Sequence, residues 1–233
     1  MKPVAKSGES GIIKLEEYRD NDTVYKPVTD NFIEKVPLMQ VFTADDISNV
    51  EVQKQADILN ARYQKACKDL LREVQKYPVG TELSIVYDEN MNPIKECGYI
   101  VGKIGSVKID NPDIPYYALH NHPSGETLSP EDLLSFIFKT NQLGIGATGN
   151  NSNAYIMLKS GNSDNERYYD FIFEKISNKN FYNGYSYLEI KDGKLNISKL
   201  SDKQILELKN AIIKLGDECA KAGENFGYKY IYK

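Results

Sequence analysis

The sequence predicts an α/β fold in which a mixed central sheet is flanked by helices. Three observations carry that expectation. Short β-branched and aromatic runs, bounded by Gly, Pro and Asn, recur between positions 82 and 158. Longer segments with apolar residues at helical spacing stand before, between and after them. Several of these begin with a Ser or Thr followed by acidic or amide residues, the chemistry of a capped helix start.

In chain order, residues 1 to 42 mix charge, Gly and Pro with few periodic apolar positions, and read as an arm or loosely packed extension. Thr43 is a suitable N-cap, with Asp45 and Asp46 in the first turn. Ile47, Val50, Ile58, Leu59, Tyr63, Leu70 and Leu71 then recur at helical spacing, as one helix or as two broken near Asn49. Pro78 and Gly80 end it. Glu82 to Tyr87 reads as a strand and Ile94 to Val101 as its hairpin partner, joined by the turn-rich segment from Asp88 to Pro93. A third strand ends in Tyr116-Tyr117-Ala118-Leu119-His120. Ser129-Pro130-Glu131-Asp132 opens a helix whose Leu133, Leu134, Phe136, Ile137 and Phe138 point to burial. Two strands are expected at Gly144 to Gly149 and Ala154 to Leu158, with a turn at Asn150-Asn151, and then a short helix from Arg167 to Ile176. The last segment has a turn at Asp192-Gly193 and a helix from Ser201, where Gln204 completes a capping box and Ile205, Leu208, Ile212 and Leu215 form an apolar stripe.

Composition narrows the function classes. The chain has 233 residues, 41% of them hydrophobic and 27% charged, which suits one folded main domain with extensions. A net charge of −4 and the lack of a dense basic face argue against nucleic-acid binding. Cys67, Cys97 and Cys219 are far apart and form no CxxC pair, so reduced thiols in a cytoplasmic protein are expected and a cysteine zinc site is not. The charged amino terminus resembles no secretion signal, and no apolar run reaches bilayer length.

His120 and His122 are the chain's two histidines, and they lie two residues apart on a strand approach. Side chains at that spacing leave the same face, which makes a two-toothed metal grip. A catalytic zinc site commonly has three protein ligands and a position for water. Asp132, in the first turn of the next helix, suits the third ligand. Taken singly, Asp132 also serves as a helix-dipole residue and Ser129 as a plain cap.

The set His120-x-His122-Pro123-Ser124-Gly125 followed by Ser129-x-x-Asp132 resembles the motif of the JAMM/MPN (JAB) zinc metalloprotease family, in particular its bacterial RadC-like and phage-type branch. The resemblance covers roughly residues 76 to 178. The interval from His122 to Ser129 is one residue shorter than in many members, and the amino-terminal region does not look like the DNA-binding helical module found in front of RadC-type domains. The resemblance implies a JAMM/MPN-like sheet with cytidine-deaminase-like layers over 76–178, preceded by an arm and helix over 1–75 and followed by a small extension with an amphipathic helix over 179–233. It implies Zn2+ held by His120, His122 and Asp132, an oxyanion partner in Ser129, and an acid/base Glu on an earlier strand. Glu82 fits that place, with Glu126, Glu89 and Glu96 as competitors. The implied activity is hydrolysis of a peptide or isopeptide bond in a protein substrate, including ubiquitin-like conjugates. The alternative it leaves open is a non-catalytic MPN-type binding or assembly module, as in phage or mobile-element morphogenesis.

Overall fold

The computed structural model describes residues 25, 27–43, 50–177, 185, 190–191, 194–195 and 200–233. Among them are five α-helices: α1 (Asp30–Glu34), α2 (Val50–Val74), α3 (Pro130–Ile137), α4 (Asn165–Ser177) and α5 (Asp202–Ala222). Six strands make one sheet: β1 (Thr81–Tyr87), β2 (Ile100–Ile104), β3 (Tyr116–His122), β4 (Gln142–Gly149), β5 (Ala154–Lys159) and β8 (Tyr228–Tyr232). Two short strands, β6 (Ile190–Lys191) and β7 (Lys194–Leu195), pair only with each other. The large sheet runs in the order β2-β1-β3-β4-β5-β8. Its pairs are antiparallel except β3 with β4, so the sheet is mixed. Among the described residues, no helix is long and apolar enough to cross a membrane.

The alternation of side chains along each strand divides the core into two layers. On one face, Leu83, Ile85, Tyr87, Leu119 and Ile156 pack against Tyr63, Cys67, Leu70 and Leu71 of α2. On the other, Ile145, Ala147 and Met157 pack against Leu133 and Phe136 of α3, Tyr168 and Ile172 of α4, and Leu215 and Cys219 of α5. Burial of each large apolar side chain contributes about 1.5–3 kcal/mol, so helices on both faces are what make a sheet this apolar stable in water.

The strand and helix expectations hold in kind, with several corrections. The second strand of the hairpin is not Ile94 to Val101 but Ile100–Ile104. Asp88 closes a tight turn by accepting from Asn90 N and Asn92 N, and Ile94 N bonds back to Val86 O. The turn at Cys97 and Gly98, where φ is +61°, then carries the chain away before pairing resumes. The third strand continues past His120 to His122, because the parallel partner β4 supports it as far as His122↔Gly149. Phe138, expected in a buried helix, is the C-cap of α3 and 54% exposed.

The described part of the arm is packed, not loose. Ile33, Val36, Met39 and Val41 are buried against α2, and the Asn60 carboxamide clamps Phe42 by accepting from its N–H and donating to its carbonyl. Residues 1–24, and the proposed helix start at Asp45, Asp46 and Ile47, lie outside the described residues, as does the turn at Asp192-Gly193. The helix expected from Arg167 spans Asn165–Ser177, and the Ser201 and Gln204 capping box is present. The last strand, β8, was not expected from the sequence. It joins the sheet beside β5, while Tyr168 of α4 donates to Cys219 O of α5 at 2.8 Å.

Burial pushes the thiols of Cys67 and Cys219 up to about 12, whereas Cys97 is only half-buried. A thiol reagent at pH 8 is therefore expected to modify Cys97 alone in the folded chain and all three after denaturation; rapid native labelling of Cys67 or Cys219 would contradict the packing. The two raised values also set a sign. Both thiols stay neutral in the fold but ionise near ~8.5 when unfolded, so their contribution to stability is intact below that pH and is lost as pH climbs towards 12.

Candidate metal centre

The site is built where β3 ends and α3 begins. His120 and His122 occupy the last ligand-facing positions of β3, opposite Ala147 and Gly149 on β4. Neither of those partners carries a side chain large enough to fill the space between the strand and α3. Ser129 caps α3: its Oγ accepts from Asp132 N at 3.1 Å, while Asp132 Oδ2 accepts from Ser129 N and from Ser129 Oγ, both at 2.7 Å. The capping box that starts the helix thus fixes the carboxylate, and the positive end of the helix favours its charge.

The result is a convergence of three donors. Asp132 Oδ1 lies 3.3 Å from His120 Nε2, Asp132 Oδ2 lies 3.4 Å from His122 Nε2, and the two Nε2 atoms are 2.8 Å apart. His122 Nδ1 is 3.0 Å from the Glu126 carbonyl, which only accepts, so that nitrogen carries a proton, and Nε2 is the nitrogen that would turn a lone pair inward on giving up its own proton to a metal. His120 Nδ1 is buried without a hydrogen-bond partner among the described residues, leaving its Nε2 as the nitrogen engaged in the cluster. His120 is 1% exposed and the Asp132 side chain 17%, so the cluster opens to solvent on the Asp132 side.

Electrostatics favour a positive charge at the centre. For Asp132, burial alone would raise the pKa, yet the charges of His120 and His122 and their hydrogen bonds hold it well below the usual carboxylate range. For His122, burial lowers the pKa, but Asp132, Glu82 and Glu126 outweigh that and lift it to about 10.

His120, His122 and Asp132 are placed to bind a metal ion, each offering one ligand atom with all of these atoms within 4.8 Å of one another. In a tetrahedral site with bonds of about 2.0–2.2 Å, neighbouring ligand atoms stand about 3.3 Å apart. Each imidazole stands at that separation from one Asp132 oxygen, His120 from Oδ1 and His122 from Oδ2, so a single carboxylate ligand atom requires a small turn of Asp132, and the His to His contact opens by about half an ångström. Two imidazoles, one carboxylate and no thiolate fit a borderline cation such as zinc.

Of the four candidate glutamates, the fold brings two to the centre. Ser84 pairs with His120, the last pair of this ladder, and Glu82, two residues further along β1, leaves the strand on the face that Ser84 shares with His120. Glu82 is 9% exposed, and its charge acts on His122. Glu126 acts on His122 as well, through its carbonyl and its charge. Glu89 and Glu96 are exposed and follow the far end of β1.

Sequence reasoning missed the residues that support this set. Gly125 sits at φ +80°, and a Cβ there would strike the Asn151 side chain. Its carbonyl accepts from Tyr155 OH and Asn153 Nδ2, and Thr127 bonds Tyr230. The loop between the ligands is thereby tied to β5 and β8. Gly125 was legible as a turn residue, but its partners are 26 or more residues away in the chain.

Comparison of the chain with protein-family models, with curated proteins and with solved structures finds no match in any of the three.

Titration with Zn2+ is expected to give one bound ion per chain, with affinity falling at least ~100-fold in His120→Ala and in Asp132→Ala; equal metal in all three proteins would remove the site. Gly125→Ala places an L side chain at positive φ, at about 1–2 kcal/mol, and disturbs the Glu126 carbonyl. Its zinc affinity should fall by roughly 10–100-fold with all three ligands intact.

Proposed function

We propose that this chain is a zinc-dependent amide hydrolase, a metallopeptidase or isopeptidase of the JAMM/MPN type that cuts a peptide or isopeptide bond in a protein substrate, a ubiquitin-like conjugate being one such substrate. The observation that carries the reading is the convergence of His120, His122 and Asp132 at a strand end and helix start, with a carboxylate from β1 beside them. The His-x-His-Pro-Ser-Gly and Ser-x-x-Asp segments of the motif support the same family reading, with an interval between them one residue shorter than in many members.

A bound zinc ion supplies Lewis acidity, polarising an amide carbonyl and making water ionisable near pH ~7. The remaining chemistry belongs to side chains. Glu82 accepts the proton of the attacking water as the new C–O bond forms, and returns it to the leaving nitrogen as the C–N bond breaks. His122 is held in one orientation by the Glu126 carbonyl, so that its Nε2 faces the centre and would bind there once a metal displaces its proton. Ser129 has two duties. Its hydroxyl orients Asp132 by donating to Oδ2, and when that proton turns outward it serves the developing oxyanion, an effect of ~3 kcal/mol for one well-placed donor.

The test uses zinc-loaded protein with a panel of linear peptides and isopeptide-linked ubiquitin-like conjugates. Glu82→Gln is expected to retain one zinc and to lose cleavage by about 100-fold or more. Full cleavage by that variant would transfer the proton role to Glu126. A wild type that holds zinc and cuts nothing in the panel would favour the assembly-module reading.

A further inference from the structure

Asn121 separates the two histidines and is fully buried, at 0% exposure. Between β1 and β3 the residue pairing runs from Tyr87↔Tyr117 to Ser84↔His120 and stops there. One step further on, the Asn121 carboxamide takes the place of main chain. Its Oδ1 accepts from Leu83 N at 2.7 Å, and its Nδ2 donates to the Thr81 carbonyl at 3.2 Å. Those two groups belong to the peptide units on either side of Glu82.

One buried amide therefore grips the backbone of Glu82 from both directions, and it projects from the residue between the two imidazoles. An interposed side chain also holds the two strands apart at this level, where direct main-chain pairing would draw them together. The residue that would follow in the ladder opposite Thr81 is Pro123, which has no N–H to donate, so main-chain pairing cannot serve the Thr81 carbonyl and the Asn121 side chain serves it together with Leu83 N–H. The end of the ladder accounts for the need for a donor; that the donor comes from the residue between the two imidazoles, and holds both peptide units of Glu82, is what ties it to the centre.

We infer that Asn121 is a positioning residue that sets the distance of Glu82 from the His120 and His122 pair. The inference rests on the proposed acid/base role of Glu82. It makes the ligand spacing and the acid/base spacing properties of one three-residue segment.

Cobalt(II) bound to the full chain gives a readout other than turnover: the pH at which the visible spectrum changes. That inflection reports ionisation at the open coordination position and responds to a neighbouring carboxylate. Glu82→Gln is expected to shift it. Asn121→Ser should keep one cobalt and shift the inflection in the same direction by about 0.5 pH unit or more. The double variant should match Glu82→Gln alone, because an amide that acts through Glu82 has nothing left to position. Asn121→Gln keeps the amide on a stem one methylene longer, carries the same expectation and covers the case in which the serine variant unfolds. An unmoved inflection in both Asn121 variants, beside a shifted one in Glu82→Gln, overturns the positioning role and leaves Glu82 standing. Additive shifts in the double variant, or loss of cobalt in both Asn121 variants, also overturn it. An unmoved inflection in Glu82→Gln overturns both ideas together.

Discussion

Holding a carboxylate against two buried imidazoles is the interaction on which the rest of this structure turns. Asp132 and His122 each lose hydration on burial, and each recovers stability only through the other and the charges around them. Such a cluster persists only if its members are held from outside, since misplacement by a single rotamer would leave a buried charge alone. The capping box does this for Asp132, and the Glu126 carbonyl does it for His122. Parallel pairing with β4 does it for the backbone of both histidines, and the small Ala147 and Gly149 opposite them leave room for α3.

The outer layers extend the same restraint. Gly216 of α5 faces the Leu128 carbonyl so closely that a Cβ could not be accommodated, and the long helix thus lies directly on the loop that leads into Ser129. Tyr155, Asn153 and Tyr230 hold that loop from the sheet. On the opposite face, α2 covers β1 and β3, and the arm covers α2. Buried carboxamides appear twice as fasteners of main chain: Asn60 closes the arm at Phe42, and Asn121 closes β1 around Glu82. A carboxamide suits both places because it offers a donor and an acceptor on one short, rigid stem.

The starts of α3 and α5 were the most legible part of the fold, whereas α1 lies in the segment that read as a loose arm. Ser129 and Ser201 announced the two starts through local hydrogen-bond chemistry, and that chemistry needs no distant partner. The segment from Ile94 to Val101 misled because its alternation fits a strand, whereas the side-chain turn of Asp88 and the positive φ of Gly98 delay pairing until Ile100. Tyr228 to Tyr232 offered no signal beyond aromatic content. Its strand exists because β5 presents an open edge for it.

By itself the sequence determined which three side chains are placed to hold a metal ion. Two histidines on one strand face and an aspartate in a capped first turn are consequences of local periodicity and local capping, which short segments encode. The tertiary structure decided which glutamates reach the centre, since Glu82 arrives at the end of β1 that meets Asn121 of β3, whereas Glu89 and Glu96 follow the opposite end of that strand. It also decided how the centre is held: Asn121, Gly125, Tyr155 and Tyr230 act on chain segments at least 26 residues distant. Contacts of that range follow from sheet order and layer packing, and no short stretch of sequence contains them.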